Sequence, residues 1–162
     1  MIHDMHHVSF TVSNVDQAEK FFVDLFQMKR IGGGLYDFEY IRRQVGFPDA
    51  RLKISVLAFA RGGWPVLELI EYLQPVGAAA DTATNRPGNA HLCFLVDDID
   101  AEYQRLCAAG VRFKSIPNDV VAGINKGARA VYFNGPDNIA LELFQPAPAA
   151  VVAGEGSASV KI

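Results

Sequence analysis

The 162-residue chain has few cysteines, no excess of basic residues and no long apolar run, and these absences exclude several classes of protein. It carries only two cysteines, too few for a disulfide framework, which favours a reducing, cytoplasmic setting. Its net charge of −3 gives no basic surface for nucleic acid. No apolar run approaches a membrane span, and residues 1–4 lack the segments of a secretory signal. We therefore expect a cytoplasmic protein that binds neither nucleic acid nor membrane.

The composition instead fits a folded protein with a sizeable core. Half of the residues are hydrophobic and 20% are charged, which is typical of globular domains. The glycines at 32–34 interrupt the pattern around them, but no Lys-Ser/Thr pair follows, so they do not form a phosphate-binding loop. Nucleotide-phosphate chemistry is therefore not indicated.

The chain contains an internal repeat. An alternating strand, a turn and an amphipathic helix near the N-terminus recur in the second half. The matched pairs, each 84 residues apart, are His7 with His91, Val12 with Val96, and Asp16 with Asp100. A shared offset across strand, turn and helix indicates a duplicated unit.

Periodicity predicts the elements of the first unit. Polar and apolar residues alternate over 6–12, which predicts a strand, and helical spacing follows over 16–28. Two further strands are predicted at 51–60 and 65–74, joined by a glycine-containing turn. The stretch 35–50 fits a strand, a lid or a short helix, and the pattern does not choose among these.

The second unit repeats this order after a linker of small, turn-prone residues at 76–88. The predicted elements are a strand at 90–96, a helix at 98–109, a strand near 111–116, a loop at 117–127, and strands near 128–134 and 139–145. Each half therefore reads βαβββ.

We accordingly predict an α+β fold in which two βαβββ modules form an open, curled, mixed β-sheet around a cleft. The modules span 1–75 and 89–146, with the linker between them and a flexible tail at 147–162. Together they make one domain.

Four side chains stand at duplicated positions in these strands. Glu68 and Glu142 each sit in a Leu-Glu-Leu triplet, and His7 and His91 each open the first strand of a module. The glutamates are 74 residues apart rather than 84, so the first module has about ten extra residues, which we assign to 35–50. A carboxylate on an apolar strand face is costly unless it is paired or binds a metal. A lone strand histidine is usually structural, but two His and two Glu at repeated positions suit a divalent transition metal.

The motifs that carry these residues resemble the vicinal oxygen chelate superfamily over residues 5–146. They are His7-Val-Ser-Phe-Thr-Val, Val66-Leu-Glu-Leu, His91-Leu-Cys-Phe-Leu-Val and Asn134-Gly-Pro-Asp-Asn-Ile-Ala-Leu-Glu142. That superfamily includes glyoxalase, methylmalonyl-CoA epimerase, extradiol dioxygenases and bleomycin-binding proteins. The resemblance implies a metal held by His7, Glu68, His91 and Glu142, a small-molecule substrate and a homodimer.

The His-Glu-His-Glu set resembles that of glyoxalase and is close to that of the epimerase. It implies a metal-dependent lyase or isomerase that chelates vicinal oxygens and moves a proton through an enediolate, with Glu68 or Glu142 as base. The metal could be Zn, Ni, Co, Mn or Fe. The alternatives are an extradiol-type iron dioxygenase and a metal-free binding or resistance protein.

Other residues carry weaker signals. We expect Cys93 to share the face of His91 and Glu71 to be solvated on the face opposite Glu68. His6 is expected to point away from His7. The arginines at 42, 43 and 51 could bind a carboxylate or phosphate, although exposed loop arginines are common.

Overall fold

The computed structural model of the chain describes residues 1–63 and 65–148. The first module contains β1 (His7–Thr11), α1 (Val15–Phe26), β2 (Lys29–Tyr36), α2 (Glu39–Val45), β3 (Arg51–Ala58) and β4 (Val66–Gln74). The second contains β5 (His91–Leu95), α3 (Ile99–Ala108), β6 (Asn118–Asp119), β7 (Arg129–Asn134), a 3₁₀ turn (Pro136–Asn138) and β8 (Ala140–Gln145). The predicted α+β class and the two βαβββ modules are confirmed.

The two mixed sheets share one topology. Their strand orders are β1-β4-β3-β2 and β5-β8-β7-β6, with the first strand of each module parallel to its last. In the described ranges, no helix is both long and apolar enough to span a membrane. From residue 149 onward, the predicted tail lies outside the described residues.

One hydrophobic core joins both modules. The C-terminal half of α1 packs onto the second sheet, where the Phe26 ring lies 4.5 Å from Phe94 and 5.9 Å from Phe133. Phe22 on the same helix is fully buried in this core. Burying each such ring contributes about 1.5–3 kcal/mol relative to leaving it exposed. The helix-facing sides of both sheets are therefore buried in the shared core.

A side chain on the last strand holds the first turn of the helix in each module. The Val15 N–H donates to Glu71 Oε2 at 2.9 Å, and the Ile99 N–H donates to Gln145 Oε1 at 2.9 Å. Because the first N–H groups of a helix have no partner within the helix, these bonds satisfy otherwise unpaired donors. The expectation that Glu71 is solvated was therefore wrong.

Strand β2 runs through the glycines at 32–34, where the sequence suggested only an interruption. Gly33 has φ 106°, and a Cβ there would lie 2.1 Å from the Ile54 carbonyl oxygen on β3. Only glycine fits this conformation and this close approach. The three glycines are therefore part of the sheet.

The strand predicted near 111–116 was wrong. That segment makes a single bridge, Phe113 to Phe133, and the edge strand β6 is two residues long. Pro117 explains the break, because proline lacks an N–H and restricts the residue before it. The second sheet therefore has a short outer edge.

Helix α2 occupies the middle of the irregular stretch 35–50. Ile41 packs with Leu52 and Ile54, beside Val56 and Ile70, in a small second core. These β3 and β4 residues lie on the face of the first sheet that also carries Glu68, since alternate residues share a face. The extra residues of the first module thus form a short helix over that face.

The close approach at Gly33 gives a stability test. We expect Gly33→Ala to lower the free energy of unfolding by about 2–4 kcal/mol, because it adds both left-handed strain and a backbone clash. Gly32→Ala is the matched control, since its Cβ would meet only Val56 Cβ at 3.9 Å, and it should change stability by less than about 1 kcal/mol. Chemical denaturation measures both, and equal losses would contradict the account.

Candidate functional site

The four predicted ligands lie on the sheet faces opposite the shared core. Along β1 and β5 the odd-numbered residues are exposed, whereas the even-numbered residues pack toward the core. Glu68 and Glu142 lie between buried leucines on β4 and β8 and share the histidine face of each sheet. Their positions follow from strand alternation, as the sequence predicted.

His7 and Glu68 form a pair that we term the first half-site. His7 pairs with Val66 in the β1–β4 ladder, which brings Glu68, two residues further along β4, onto the same face. His7 Nε2 lies 3.7 Å from Glu68 Oε2. His6 was expected to point away, but its Nδ1 lies 2.9 Å from His7 Nδ1, within hydrogen-bonding distance.

His91 and Glu142 form the second half-site, which is tighter. His91 Nε2 lies 3.1 Å from Glu142 Oε2, and the Glu142 side chain is only 12% exposed. The Tyr132 hydroxyl lies 3.1 Å from the same His91 nitrogen, and Tyr132 stands directly opposite Glu142 in the β7–β8 ladder. The sequence interpretation missed Tyr132, for which strand alternation in 128–134 was the only signal.

Cys93 and Tyr132 flank Glu142 and keep their protons at neutral pH. Burial and the Glu142 carboxylate raise the pKa of the Cys93 thiol to about 12. Burial, Glu142 and Cys93 likewise raise the pKa of the Tyr132 phenol. Cys93 shares the His91 face as expected, and neither it nor Cys107 forms a disulfide.

Each half-site has donors suited to a divalent cation. Metal–nitrogen and metal–oxygen bonds of about 2.0–2.2 Å place neighbouring donor atoms roughly 3.0–3.5 Å apart. The observed separations of 3.1 and 3.7 Å between Nε2 and Oε2 agree with that spacing or exceed it slightly. One imidazole and one carboxylate in each pair therefore fit such an ion.

The four donors are not gathered into one cluster within the chain. Among residues 1–63 and 65–148, no group of three or more His, Cys, Asp or Glu side chains is arranged to hold a metal. The structure thus brings together His7 with Glu68, and His91 with Glu142, as two separate pairs. A single four-residue site remains a prediction.

The arginines at 42, 43 and 51 bind carboxylates of the chain itself. Arg42 donates to Asp37, Arg51 Nε lies 3.3 Å from Asp37 Oδ2, and Arg43 pairs with Glu39 at 3.9 Å. Binding of a substrate anion by these side chains therefore stays a prediction, because it would compete with these pairs.

Comparison with known proteins identifies the family. A family model for the glyoxalase/bleomycin resistance protein/dioxygenase superfamily matches residues 6–133. The chain belongs to this superfamily. A 2-epi-5-epi-valiolone epimerase from Actinomyces is 32% identical over 147 residues, covering 86% of this chain and 77% of the relative. The resemblance predicted from the strand motifs is thereby confirmed.

Solved structures of the superfamily share the fold. A glyoxalase family protein from Bacillus cereus superposes with a TM-score of 0.77 at 25% identity, covering 91% of this chain and 97% of its own. Glyoxalase I from Leishmania major gives a TM-score of 0.62 at 17% identity, covering 89% and 87%. At that lower identity, the glyoxalase supports the fold alone.

The raised pKa of Cys93 gives a test on metal-free protein. In a Cys107→Ser variant, Cys93 is the sole thiol, and its alkylation rate should keep rising about tenfold per pH unit above about pH 8, because the thiolate is the reactive form. Glu142→Gln should speed alkylation at about pH 8, since it removes the carboxylate charge that raises the pKa. A rate that levels off below about pH 9 would contradict the shift.

Proposed function

We propose that this superfamily member is a divalent-metal-dependent epimerase or isomerase of hydroxyketones. The main support for this proposal is the duplicated His–Glu pair, with Nε2–Oε2 separations of 3.7 Å in the first half-site and 3.1 Å in the second. The epimerase from Actinomyces, at 32% identity, supports this reaction type over the other chemistries of the superfamily.

We further propose that two chains form a homodimer in which the first half-site of one chain completes the second half-site of the other. Both half-sites lie on faces opposite the core that the modules share, and the described part of one chain gathers no third donor at either. Two sites per dimer follow from this arrangement. A site shared between chains would supply two imidazoles and two carboxylates to each ion.

A bound Zn, Ni, Co, Mn or Fe ion would supply positive charge that stabilises a developing oxyanion. The residues that would hold it are His7 and Glu68 of one chain with His91 and Glu142 of the other. The choice among these metals follows from availability as much as from ligand type, because all of them accept nitrogen and oxygen donors.

The carboxylates carry the proton chemistry in this proposal. Glu68 or Glu142 would leave the ion and accept a proton from the carbon next to the ketone, and the C–H electron pair would move toward the carbonyl oxygen. A proton then returns to the opposite face of that carbon, which inverts it without net oxidation. Two carboxylates from different modules provide an acceptor and a donor, each contributing roughly 10²–10⁴-fold as general base or acid.

The proposed ligands predict the metal content of the protein. Protein purified without a histidine tag should hold about one divalent cation per chain. The single variants His91→Ala and Glu142→Ala should each weaken metal binding by more than about 100-fold. This exceeds the effect of removing a residue that only forms a hydrogen bond to a metal ligand. Elemental analysis after dialysis measures this directly.

Matched variants separate a specific site from general metal affinity. His3→Ala and Glu39→Ala remove an exposed histidine and an exposed carboxylate that belong to neither half-site, and both variants should keep full metal content. If all four variants hold the same metal, or if the parent protein holds none after soaking, the metal site is refuted.

The reaction type predicts hydrogen exchange with solvent. In D₂O, metal-loaded protein should introduce deuterium beside the ketone of 2-epi-5-epi-valiolone or another hydroxyketone, and NMR should show inversion at that carbon. Glu68→Gln and Glu142→Gln should each slow exchange by roughly 10²–10⁴-fold. Oxygen uptake with catechols would instead favour a dioxygenase, and metal-independent ligand binding without exchange would favour a binding protein.

A further inference from the structure

The second half-site contains a phenol that the first half-site lacks. Tyr132 on β7 stands directly opposite Glu142, and the corresponding position on β3, opposite Glu68, is Val56. The duplication therefore preserves the histidines and carboxylates but not this phenol. A group found on one side only can give the two half-sites different roles.

The Tyr132 hydroxyl competes for one nitrogen of His91. Both the phenol oxygen and Glu142 Oε2 lie 3.1 Å from His91 Nε2. An imidazole nitrogen offers either one N–H or one lone pair, so it cannot form a full hydrogen bond with both groups. The hydroxyl and the carboxylate thus converge on an atom that satisfies only one of them.

Two side chains lie against the Tyr132 ring. Its centroid lies 5.0 Å from that of His91 in an edge-on arrangement, and Lys114 Nζ lies 5.9 Å from the ring centroid. When His91 Nε2 gives its lone pair to a cation, it no longer accepts a hydrogen bond from the phenol. The hydroxyl would then stay beside the site, where either the Glu142 carboxylate or a substrate oxygen can accept its hydrogen.

We propose, building on the proposed function, that Tyr132 is a catalytic residue whose hydroxyl donates a hydrogen bond to the ketone oxygen of the substrate. As the adjacent carbon loses its proton to a carboxylate, that oxygen gains negative charge, and the hydrogen bond stabilises it. When the carbon regains a proton, the charge returns to the C=O bond. The phenol keeps its own proton throughout, so the step needs no oxidant or reductant.

Tyr132→Phe tests this role with two measurements that should respond differently. Removing one preorganised donor to a developing oxyanion should lower kcat for hydrogen exchange by roughly 10²-fold. Zn²⁺ or Co²⁺ affinity, titrated against a chromogenic chelator, should stay equal or become up to about tenfold tighter, because the competitor for His91 Nε2 is gone. A merely structural role would weaken metal binding and turnover together.

Tyr103→Phe is the matched control, since Tyr103 lies on α3 against Phe113, on the core side of the second sheet and outside both half-sites. It should leave metal affinity and exchange rate unchanged. Parallel loss of metal affinity and activity in Tyr132→Phe would overturn the inference, and so would a fully active Tyr132→Phe variant.

The same measurements distinguish an incorrect proposed function from an incorrect role for Tyr132. A wild-type protein that binds the cation but exchanges no hydrogen in any hydroxyketone overturns the epimerase proposal and the substrate role of Tyr132 with it. A wild-type protein that exchanges hydrogen, beside a Tyr132→Phe variant of equal rate, overturns the role of Tyr132 alone.

Discussion

The parallel pairing of the first and last strands in each module is the constraint on which both the core and the half-sites depend. It sets His7 beside Val66 and His91 beside Ala140, so that a glutamate two residues further along each last strand shares the histidine face. The same strands turn their alternate residues into the common core. A slip of one residue would reverse the faces, burying a carboxylate and exposing leucines at a cost of several kcal/mol.

The differences between the modules lie around this duplicated frame. In the first module α2 packs over the Glu68 face of the sheet, and in the second Tyr132 stands beside the His–Glu pair. A site built from one half of each kind would combine a helical wall from the first module with a hydroxyl from the second. The duplicated His–Glu pairs therefore suit the binding of a symmetric ion. The features found in one module only, α2 and Tyr132, suit an asymmetric organic substrate.

Strand alternation and the repeat were sufficient to predict the fold class and the pairing of histidine with glutamate, because both depend on local periodicity. Long-range contacts were not predictable in this way. Gly33 lies in a strand because the Ile54 carbonyl approaches it, and Glu71 is partly buried because it accepts from the first turn of α1. Tyr132 was missed because its importance depends on which residue stands opposite it on β8, and a single strand does not encode that partner.

Mixing two inactive variants tests most directly whether half-sites from two chains form each metal site, as we propose. A His7→Ala/Glu68→Ala chain and a His91→Ala/Glu142→Ala chain should each lack metal and activity. If sites are shared between chains, mixed dimers contain one site with all four ligands, and metal content and hydrogen exchange return to about one site per mixed dimer. If unfolding and refolding the two chains together yields mixed dimers without metal or activity, the shared site is contradicted.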